Sequence, residues 1–301
     1  MNKKIMSKKF VWSSTLLIIT APCLLIYFLL MLSWSLYQSR SIADINTYAD
    51  VMTLPIEMKN VLGAEIGPST TPGVSIKIPI LIYHYVEYVK NDPGRQNLNI
   101  PPNILTLQIE TLKNEGYTFI TPNDLGRIYA RRINTKKIVM LTFDDGYEDF
   151  YTDVLPILKK ENVKAIAYII PNLLDRPNYL FAFQLQEVAK SPLVEIGAHT
   201  MDHPWLQGMN LISATYQISQ SKKTLEKMLH VPITSFAYPY GAFDEQAIRI
   251  VKDAGFSSAV STIPGIMQTR ENIYFLNRLH PGYRTGKMLI EFLAQDTFQS
   301  W

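Results

Sequence analysis

Two adjacent carboxylates close an apolar run near the middle of the chain. The run reads IVMLTF over residues 138–143, and Asp144, Asp145 and Gly146 follow it directly. Neighbouring carboxylates repel each other and lose solvation at a strand end, so they usually need a cation or opposed roles. Asp-Asp-Gly is also a common turn sequence. The pair alone therefore indicates either a turn or a catalytic site.

A second group of polar side chains follows the apolar run VEIGA and reads His199-Thr-Met-Asp-His203. Two histidines four residues apart can converge on one metal ion from a helical turn or from a tight loop. With one carboxylate they form a two-histidine, one-carboxylate facial set, which leaves positions open for water and substrate. The alternative is a solvated or capping pair of histidines.

A third cluster, FAYPYG at residues 236–241, again ends a predicted strand. Pro239 and Gly241 fix a turn around Tyr240, and such a turn can present the Tyr240 backbone N–H outward, as an oxyanion requires. Taken singly, the segment is more often an ordinary turn.

Short strand-like runs alternate with helical patterns through this part of the chain. Strands are predicted at 78–85, 138–143, 165–170, 194–196, 233–237 and 258–260, and helices at 104–115, 152–161, 183–190, 212–229 and 244–254. Alternating strands and helices indicate βαβ units and a parallel sheet. The spacing suits one α/β barrel-like domain of about 220 residues, in which chemistry gathers at the C-terminal ends of the strands. All three polar clusters follow strands.

Together the three clusters resemble the polysaccharide deacetylase family, which has a NodB-like homology domain and forms carbohydrate esterase family four. TFDDGY is similar to its first motif, HTMDH to its second and AYPYG to its third. The resemblance extends over residues 79–290 and implies a single distorted (β/α) barrel. Within the family, the opening Tyr-His, the AYPYG and a late Leu/Ile-x-Arg are most similar to extracellular poly-N-acetylglucosamine deacetylases of biofilm systems.

The resemblance implies roles for the polar residues. Asp145, His199 and His203 would hold a divalent metal, most often zinc, with nickel, cobalt or iron as alternatives, and Asp144 would be the general base. A metal lowers the pKa of its bound water to about 7, so a carboxylate can complete deprotonation. The attack would fall on an acetamide carbonyl, with the Tyr240 N–H helping to hold the oxyanion. Acetate and a free amine would result.

Two positions depart from the family pattern. Ala237 stands where the third motif usually has arginine, so Asp144 lacks its usual cationic partner. The fifth motif usually supplies a histidine acid after leucine, whereas this chain has Arg278 before Leu-His280. We expect Arg278 to replace the missing arginine, and His280 or His84 to be the acid. A surface salt bridge, a loop histidine and a core histidine are the respective alternatives.

Aromatic residues flank the proposed ligands and could stack on sugar faces. We expect Tyr240, Pro239, Tyr238, His84, Tyr147 and Trp205 to form the substrate-binding surface. Each aromatic ring could equally belong to the core.

The N-terminal region carries a separate signal. No charged residue occurs from Phe10 to Ser39, and the 28-residue run 10–37 exceeds the roughly 20 apolar residues that cross a bilayer. Lysines 3, 4, 8 and 9 precede it and predict a cytoplasmic N-terminus. We expect an uncleaved membrane anchor, and the alternative, a cleaved signal peptide, gives the same compartment.

Composition and charge exclude several classes of protein. The 301 residues are 47% hydrophobic and 18% charged, which excludes a disordered or collagen-like chain. The net charge is +3, but without the four N-terminal lysines 25 basic residues face 26 acidic ones. No basic face remains to suggest nucleic acid as a partner. Cys23 is the only cysteine, so the chain cannot form an internal disulfide.

The sequence thus predicts four regions: a cytoplasmic tail at 1–9, a transmembrane anchor at 10–37, a spacer at 38–78 and a catalytic domain at 79–301. The expected activity is metal-dependent N-deacetylation of an extracytoplasmic N-acetylglucosamine polymer, an exopolysaccharide or peptidoglycan. Expected partners are that glycan, the lipid bilayer and envelope polysaccharide machinery. The alternatives are an O-acetyl esterase acting on acetylated xylan or another glycan, and a catalytically impaired glycan-binding module.

Overall fold

Parallel strands form the central sheet of this protein, for which a computed structural model describes residues 75–88, 95, 98–130, 136–295 and 298. Within those residues the sheet has eight strands: β2 (Ile80–Tyr83), β3 (Thr118–Ile120), β4 (Ile138–Phe143), β5 (Ala165–Ile169), β6 (Val194–Ala198), β7 (Ser235–Ala237), β8 (Ser258–Pro264) and β10 (Leu276–Arg278). Two short strands, β1 (Ile76–Lys77) and β9 (Met267–Gln268), pair with each other in antiparallel fashion.

The sheet curls until its edge strands meet. Its order is β10–β8–β7–β6–β5–β4–β2, with β3 beside β4, and every pair is parallel. At the seam, Leu279 N donates to Ile80 O at 2.8 Å, and Ile82 N donates to Leu279 O at 3.0 Å. The predicted α/β class is thus confirmed as a near-closed parallel (β/α) barrel.

Helices connect the strands and cover the outside of the barrel. They are α1 (Pro102–Asn114), α2 (Leu125–Tyr129), α3 (Leu155–Glu161), α4 (Ala182–Ala189), α5 (Leu211–Thr215), α6 (Ser221–Leu229), α7 (Glu245–Asp253) and α8 (Gly286–Leu293). In α7, Ala247, Ile250 and Val251 are buried and recur at helical spacing, and the Asp244 side chain caps the first turn by accepting from Ala247 N at 2.9 Å.

Alternate residues of each strand face two different hydrophobic layers. In β4, Val139, Leu141 and Phe143 pack with the surrounding helices, whereas Ile138 and Met140 pack with residues of other strands inside the barrel. A strand buried on both faces needs no polar alternation, which explains why IVMLTF is apolar apart from Thr142. The first polar residue after such a strand emerges at the end of the barrel.

Sequence patterns locate the long elements better than the short ones. The strand predicted at 138–143 coincides with β4. The helix predicted at 212–229 is interrupted by a π-helical turn at Tyr216–Gln220, and a second π-helical turn, Phe150–Val154, precedes α3. Strand β3 and helix α2 have three and five residues, too few to show a hydrophobic period.

The described fold begins inside the range predicted as spacer. Strand β1 lies within 38–78, and the buried Ile78 donates its N–H to Ile266 O at 2.7 Å. The predicted tail at 1–9 and anchor at 10–37 lie outside the described residues. Among the helices that the structure describes, none combines the length and apolar character needed to cross a membrane.

Candidate active site

Strand β4 delivers both carboxylates to the end of the barrel. The Asp144 N–H donates to Tyr83 O at 2.9 Å, which continues the pairing of β4 with β2 by one residue. The chain then reverses, because Asp145 and Gly146 have φ values of 75° and 78°. Both carboxylates are buried, with 4% and 8% of their residue surface exposed. Buried carboxylates require charged or hydrogen-bonded partners.

Strand β6 delivers the two histidines. His199 follows β6 and donates its N–H to Ile169 O of the neighbouring strand at 2.9 Å. Thr200 and His203 then adopt left-handed conformations with φ of 61° and 62°. The Thr200 hydroxyl accepts from His203 N at 3.0 Å, which closes a tight loop rather than a helical turn. Left-handed backbone is costly for a β-branched residue and concentrates at functional sites.

Three ligand atoms converge between these strand ends. Asp145 Oδ1 lies 3.4 Å from His199 Nε2 and 3.4 Å from His203 Nε2, and the two Nε2 atoms are 3.2 Å apart. Donors bound at about 2.0–2.2 Å around a four-coordinate zinc lie about 3.3–3.6 Å from one another. Among the described residues this is the group whose geometry suits a metal.

Hydrogen bonding fixes the state of one ligand. His199 Nδ1 lies 2.7 Å from the carbonyl oxygen of Ala237, which can only accept, so Nδ1 carries the proton. The lone pair of the neutral ring is then on Nε2 and faces Asp145 Oδ1, a buried atom that has no hydrogen-bond partner in the described part of the chain. Converging lone pairs repel unless a cation lies between them. The residues therefore fit a divalent metal, and the carbonyl is the outer-shell partner expected for such a histidine.

The ionisation of these groups agrees with a ligand role. Burial lowers the pKa of His203 to about 4, which keeps the ring neutral at pH 7. Burial opposes ionisation of Asp145, but the surrounding histidines outweigh it and hold the pKa of Asp145 well below its usual range. Burial tends to lower the pKa of His199, but Asp145 and Asp144 outweigh it and raise that pKa above the ordinary value. Because a metal needs neutral imidazoles, its binding would release the extra proton from this ring.

Arg278 forms the predicted pair with Asp144. Its Nη1 donates to Asp144 Oδ1 at 2.8 Å and its Nη2 to Asp144 Oδ2 at 2.7 Å, a bidentate arrangement. Arg278 Nε also donates to Ser261 O at 2.7 Å, and Nη1 donates to Thr142 Oγ1 at 3.1 Å. The guanidinium is completely buried. It is an internal ion pair, and the alternative of a surface salt bridge is wrong.

Strand alternation explains how Arg278 takes the place of an arginine at 237. Ala237 and Leu276 both belong to the cluster inside the barrel. Arg278 lies two residues after Leu276 and therefore points to the same side of the sheet. Burial tends to raise the pKa of Asp144, but the charge of Arg278 outweighs it and keeps the pKa below the ordinary value.

The third cluster forms the expected turn. Tyr240 has φ 58° inside a short 3₁₀ turn, Pro239–Gly241, and Pro239 is buried. Gly241 has φ 66°, and a Cβ there would lie 1.9 Å from Thr262 Oγ1, so only glycine fits. The Tyr240 ring lies 4.5 Å from the His203 ring and 6.0 Å from Trp205, between ring centres. The Tyr240 and Trp205 side chains are both more than a third exposed, which gives an aromatic surface beside the ligands.

The structure places Tyr238 away from that surface. Tyr238 is completely buried and stacks on Phe243, with its ring edge toward Phe236. Its N–H donates to Val260 O, so it continues β7, and it shares the outward parity of Phe236 rather than the inward parity of Ala237. The expectation that Tyr238 binds substrate is wrong for this reason.

Tyr147 is half-buried in an aromatic stack. Its ring centre lies 3.8 Å from Tyr85 and 5.0 Å from Tyr179. Tyr85 and Tyr147 line a cavity of about 270 Å³, together with Glu87 and Asp149. Sequence reasoning missed Tyr85 and Asp149. The single available signal was the aromatic position directly after His84 in IYHYV.

The two acid candidates end adjacent strands. Tyr83 pairs with Phe143, so His84 comes next to Asp144 in the register. Leu81 pairs with Leu279, so the same register sets His280 beside Ile82. Burial lowers the pKa of His280 to about 4, with further contributions from His84 and Arg284. Burial also lowers the pKa of His84, although the charges of the carboxylates Asp145 and Asp144 act in the opposite direction.

Comparison with known proteins agrees with this site. Residues 131–259 match the family model described as polysaccharide deacetylase. The chain is 29% identical over 204 residues to YxkH of Bacillus subtilis (strain 168), whose name assigns it to the polysaccharide deacetylases, with 67% of this chain and 71% of that protein covered. It is 24% identical over 209 residues to the poly-beta-1,6-N-acetyl-D-glucosamine N-deacetylase of Staphylococcus aureus (strain MRSA252), covering 65% of this chain and 72% of the relative.

A solved structure gives the same result. The Streptococcus pyogenes deacetylase PplD, solved in complex with acetate, superimposes with a TM-score of 0.67 at 29% identity and covers 74% of this chain and 100% of its own. The Staphylococcus aureus relative is thus named as a polysaccharide N-deacetylase and the structural neighbour as a deacetylase, and deacetylases of this kind are hydrolases. From the barrel, the strand-end ligand set and these matches, we conclude that residues 131–259 match the polysaccharide deacetylase family and lie in a barrel similar to that of a known deacetylase.

Proposed function

We propose that this protein is a metal-dependent N-deacetylase that removes acetyl groups from an extracytoplasmic N-acetylglucosamine polymer. The observation that carries the proposal is the Arg278–Asp144 pair beside the three-donor set. The pair supplies a fixed base within the same barrel end as a metal site. Metal-assisted hydrolysis uses both parts.

The chemistry requires a water, a base and an acid. A divalent ion held by Asp145, His199 and His203 supplies Lewis-acid polarisation and a water acidified to a pKa of about 7. Asp144 takes the proton from the attacking water. Both carboxylate oxygens bind Arg278, yet each has a second lone-pair position for that proton. Arg278 keeps the carboxylate ionised and fixes its orientation, because bidentate pairs restrict geometry.

The leaving nitrogen needs a proton when the carbon–nitrogen bond breaks. His84 adjoins Asp144 in the strand register, and we therefore assign the acid role to His84 in preference to His280. Water adds its oxygen to the acetyl carbon, the nitrogen leaves with a proton, and acetate and a free amine remain. The left-handed turn at Tyr240 is the candidate for holding the oxyanion.

Aromatic rings on two sides of the ligands suit a glycan. Trp205 and Tyr240 form an exposed surface beside His203, and Tyr147 with Tyr85 lines the neighbouring cavity. Stacking on apolar sugar faces uses such rings. The name of the Staphylococcus aureus relative supports a β-1,6-linked poly-N-acetylglucosamine as the first substrate to test.

The cellular setting of the proposal rests on the N-terminal sequence. The lysines before residues 10–37 favour an anchored domain on the outer side of the membrane, where a secreted or envelope glycan and its synthesis machinery would be the partners. Deacetylation would leave that glycan cationic.

Two other functions use the same fold. An O-acetyl esterase would need the same base and ligand set, so substrate preference alone separates it from an N-deacetylase. The departures from the third and fifth family motifs, at Ala237 and at Arg278 with His280, favour a catalytically impaired glycan-binding module. The Arg278–Asp144 pair weighs against that module, because it restores the base's cationic partner.

Acetate release by the metal-loaded protein tests the proposal. The substrates are β-1,6- and β-1,4-linked N-acetylglucosamine oligomers and acetylated xylan, and the matched variant is Asp144→Asn. We expect the wild type to turn over an N-acetylglucosamine oligomer and the variant to lose about 10²–10⁴-fold of that activity with its metal content unchanged. Turnover of xylan alone would favour the esterase. Bound metal without any turnover would favour the binding module.

A further inference from the structure

We propose that Gln217 is a positioning residue that holds the metal-ligand loop 199–203 in its binding conformation. Gln217 lies on the π-helical turn between α5 and α6 and does not touch the ligand atoms. Its Oε1 accepts from Met201 N at 2.9 Å and from Asp202 N at 3.0 Å. One side-chain oxygen thus binds two consecutive backbone N–H groups between the two histidines.

The same side chain also binds the loop through its amide nitrogen. Gln217 Nε2 donates to Asp202 Oδ2 at 2.7 Å, and Asn172 Nδ2 donates to Asp202 Oδ1 at 2.6 Å. The Asn172 N–H donates to Met201 O at 3.2 Å. The middle of the loop is therefore held from the turn after β5 and from the π-helical turn, with Gln217 making three of the contacts.

The loop needs such support for two reasons. Thr200 and His203 are both in left-handed backbone conformations, which an unrestrained chain seldom adopts. The lone pairs of Asp145 and both histidines also converge within 3.2–3.4 Å, an arrangement that repels itself before the ion arrives. A preformed loop avoids reorganising these ligands on binding.

The π-helical turn explains why Gln217 can reach the loop. A residue added to a helical turn rotates all later residues of the helix by about 100°. Ala214 and Ile218 remain buried on either side of Gln217, which is itself half-buried. π-Helical turns often occur at functional sites. Here the turn lets one helix keep its buried stripe and also present an amide to the ligand loop.

The inference rests on the proposed metal site, and its test measures metal binding rather than turnover. Gln217→Met removes the three hydrogen bonds at similar length and unchanged charge. We expect zinc affinity, measured by chelator competition, to fall about tenfold, within the range for outer-shell partners. The visible spectrum of the cobalt-loaded protein should change as well. The matched control is Gln220→Met, because Gln220 lies on the same turn and, among the described residues, its side chain hydrogen-bonds to Thr224 rather than to the loop.

A second variant reverses donor and acceptor. It combines Gln217→Glu with Asp202→Asn, so that the new amide at position 202 can donate to the new carboxylate at position 217, and the total charge equals that of the wild type. This double variant should recover zinc affinity to within about threefold of wild type, whereas Gln217→Glu alone should not recover it.

Affinity within twofold of wild type in Gln217→Met, or an equal loss in Gln220→Met, would overturn the inference. A wild-type protein that binds no divalent ion would overturn it together with the metal assignment. A protein that binds zinc in a Gln217-dependent way but deacetylates no glycan would refute only the proposed function.

Discussion

At the scale of single residues, the cation that pairs with Asp144 lies on a different strand from the one that the family pattern predicts. Asp144, the proposed base, needs a cation when buried, and Arg278 supplies it from β10, whereas position 237 on β7 is alanine. Both positions face the barrel interior, so either can deliver a guanidinium to the same carboxylate. Sequence reasoning could predict this exchange because a buried carboxylate without a partner is costly. It could not predict the contributions of Thr142 and Ser261, which only the strand register brings together.

Removing Arg278 should affect both activity and stability. Arg278→Ala leaves Asp144 buried without its partner, and we expect a loss of about 3–5 kcal/mol in the free energy of unfolding and at least tenfold in kcat. Arg278→Lys should lie between wild type and Arg278→Ala, because it keeps the charge but not the bidentate geometry. Urea unfolding and acetate-release kinetics measure the two effects. Adding Ala237→Arg to Arg278→Ala should recover part of kcat, and wild-type kcat in Arg278→Ala would refute the positioning role.

At the scale of elements, the strand ends determine which residues meet. The continuous apolar run of β4 and the polar residues after it were sufficient to predict where Asp144 and Asp145 lie. Tyr238 was misplaced because the alternation of β7 continues one residue beyond the strand. The sequence pattern predicted neither helix α8 nor strand β3. Strand β3 could not be predicted because three residues are too few to show a hydrophobic period. The hydrogen bonds between Gln217 and the loop 199–203 could not be predicted from the sequence either, because Asp202 and Met201 are 15 and 16 residues away from Gln217 in the chain.

The pairing of β2 with β4 and with the seam strand β10 predicts unequal roles for the two histidines. We expect His84→Ala to lower kcat on an N-acetylglucosamine oligomer by at least about 10²-fold, the size of a general acid effect, and His280→Ala by less than tenfold. 4-Nitrophenyl acetate provides a control substrate, because its leaving group departs without a proton. His84→Ala should keep most activity on it. A larger loss in His280→Ala, or an equal His84→Ala loss on both substrates, would contradict the assignment.

At the scale of the whole molecule, the closed barrel buries the carboxyl group of Asp149 between the connection that follows β2 and the connection that follows β4. Asp149 follows the turn after β4 that holds the proposed ligand Asp145, and its Oδ2 accepts from Val86 N, after β2, at 2.7 Å. Only 9% of the residue is exposed. Burial raises the pKa of Asp149 from 3.8 to about 7, and the nearby Glu87 and Asp153 add to the rise. The folded protein therefore favours the protonated form of the Asp149 carboxyl group.

Asp149 should make stability fall as the pH rises from about 4 to about 7. In that interval the folded protein retains a proton that the unfolded chain has lost, so the free energy of unfolding decreases with pH. Above the folded pKa the loss is complete, up to about 4 kcal/mol. Asp149→Asn can still accept from Val86 and cannot ionise, so its advantage over the wild type should grow between pH 5 and pH 8 in urea unfolding. The exposed Glu291→Gln serves as control and should show no such growth. An Asp149→Asn advantage that is equal at both pH values would show that the carboxyl ionises as freely in the folded protein as in the unfolded chain.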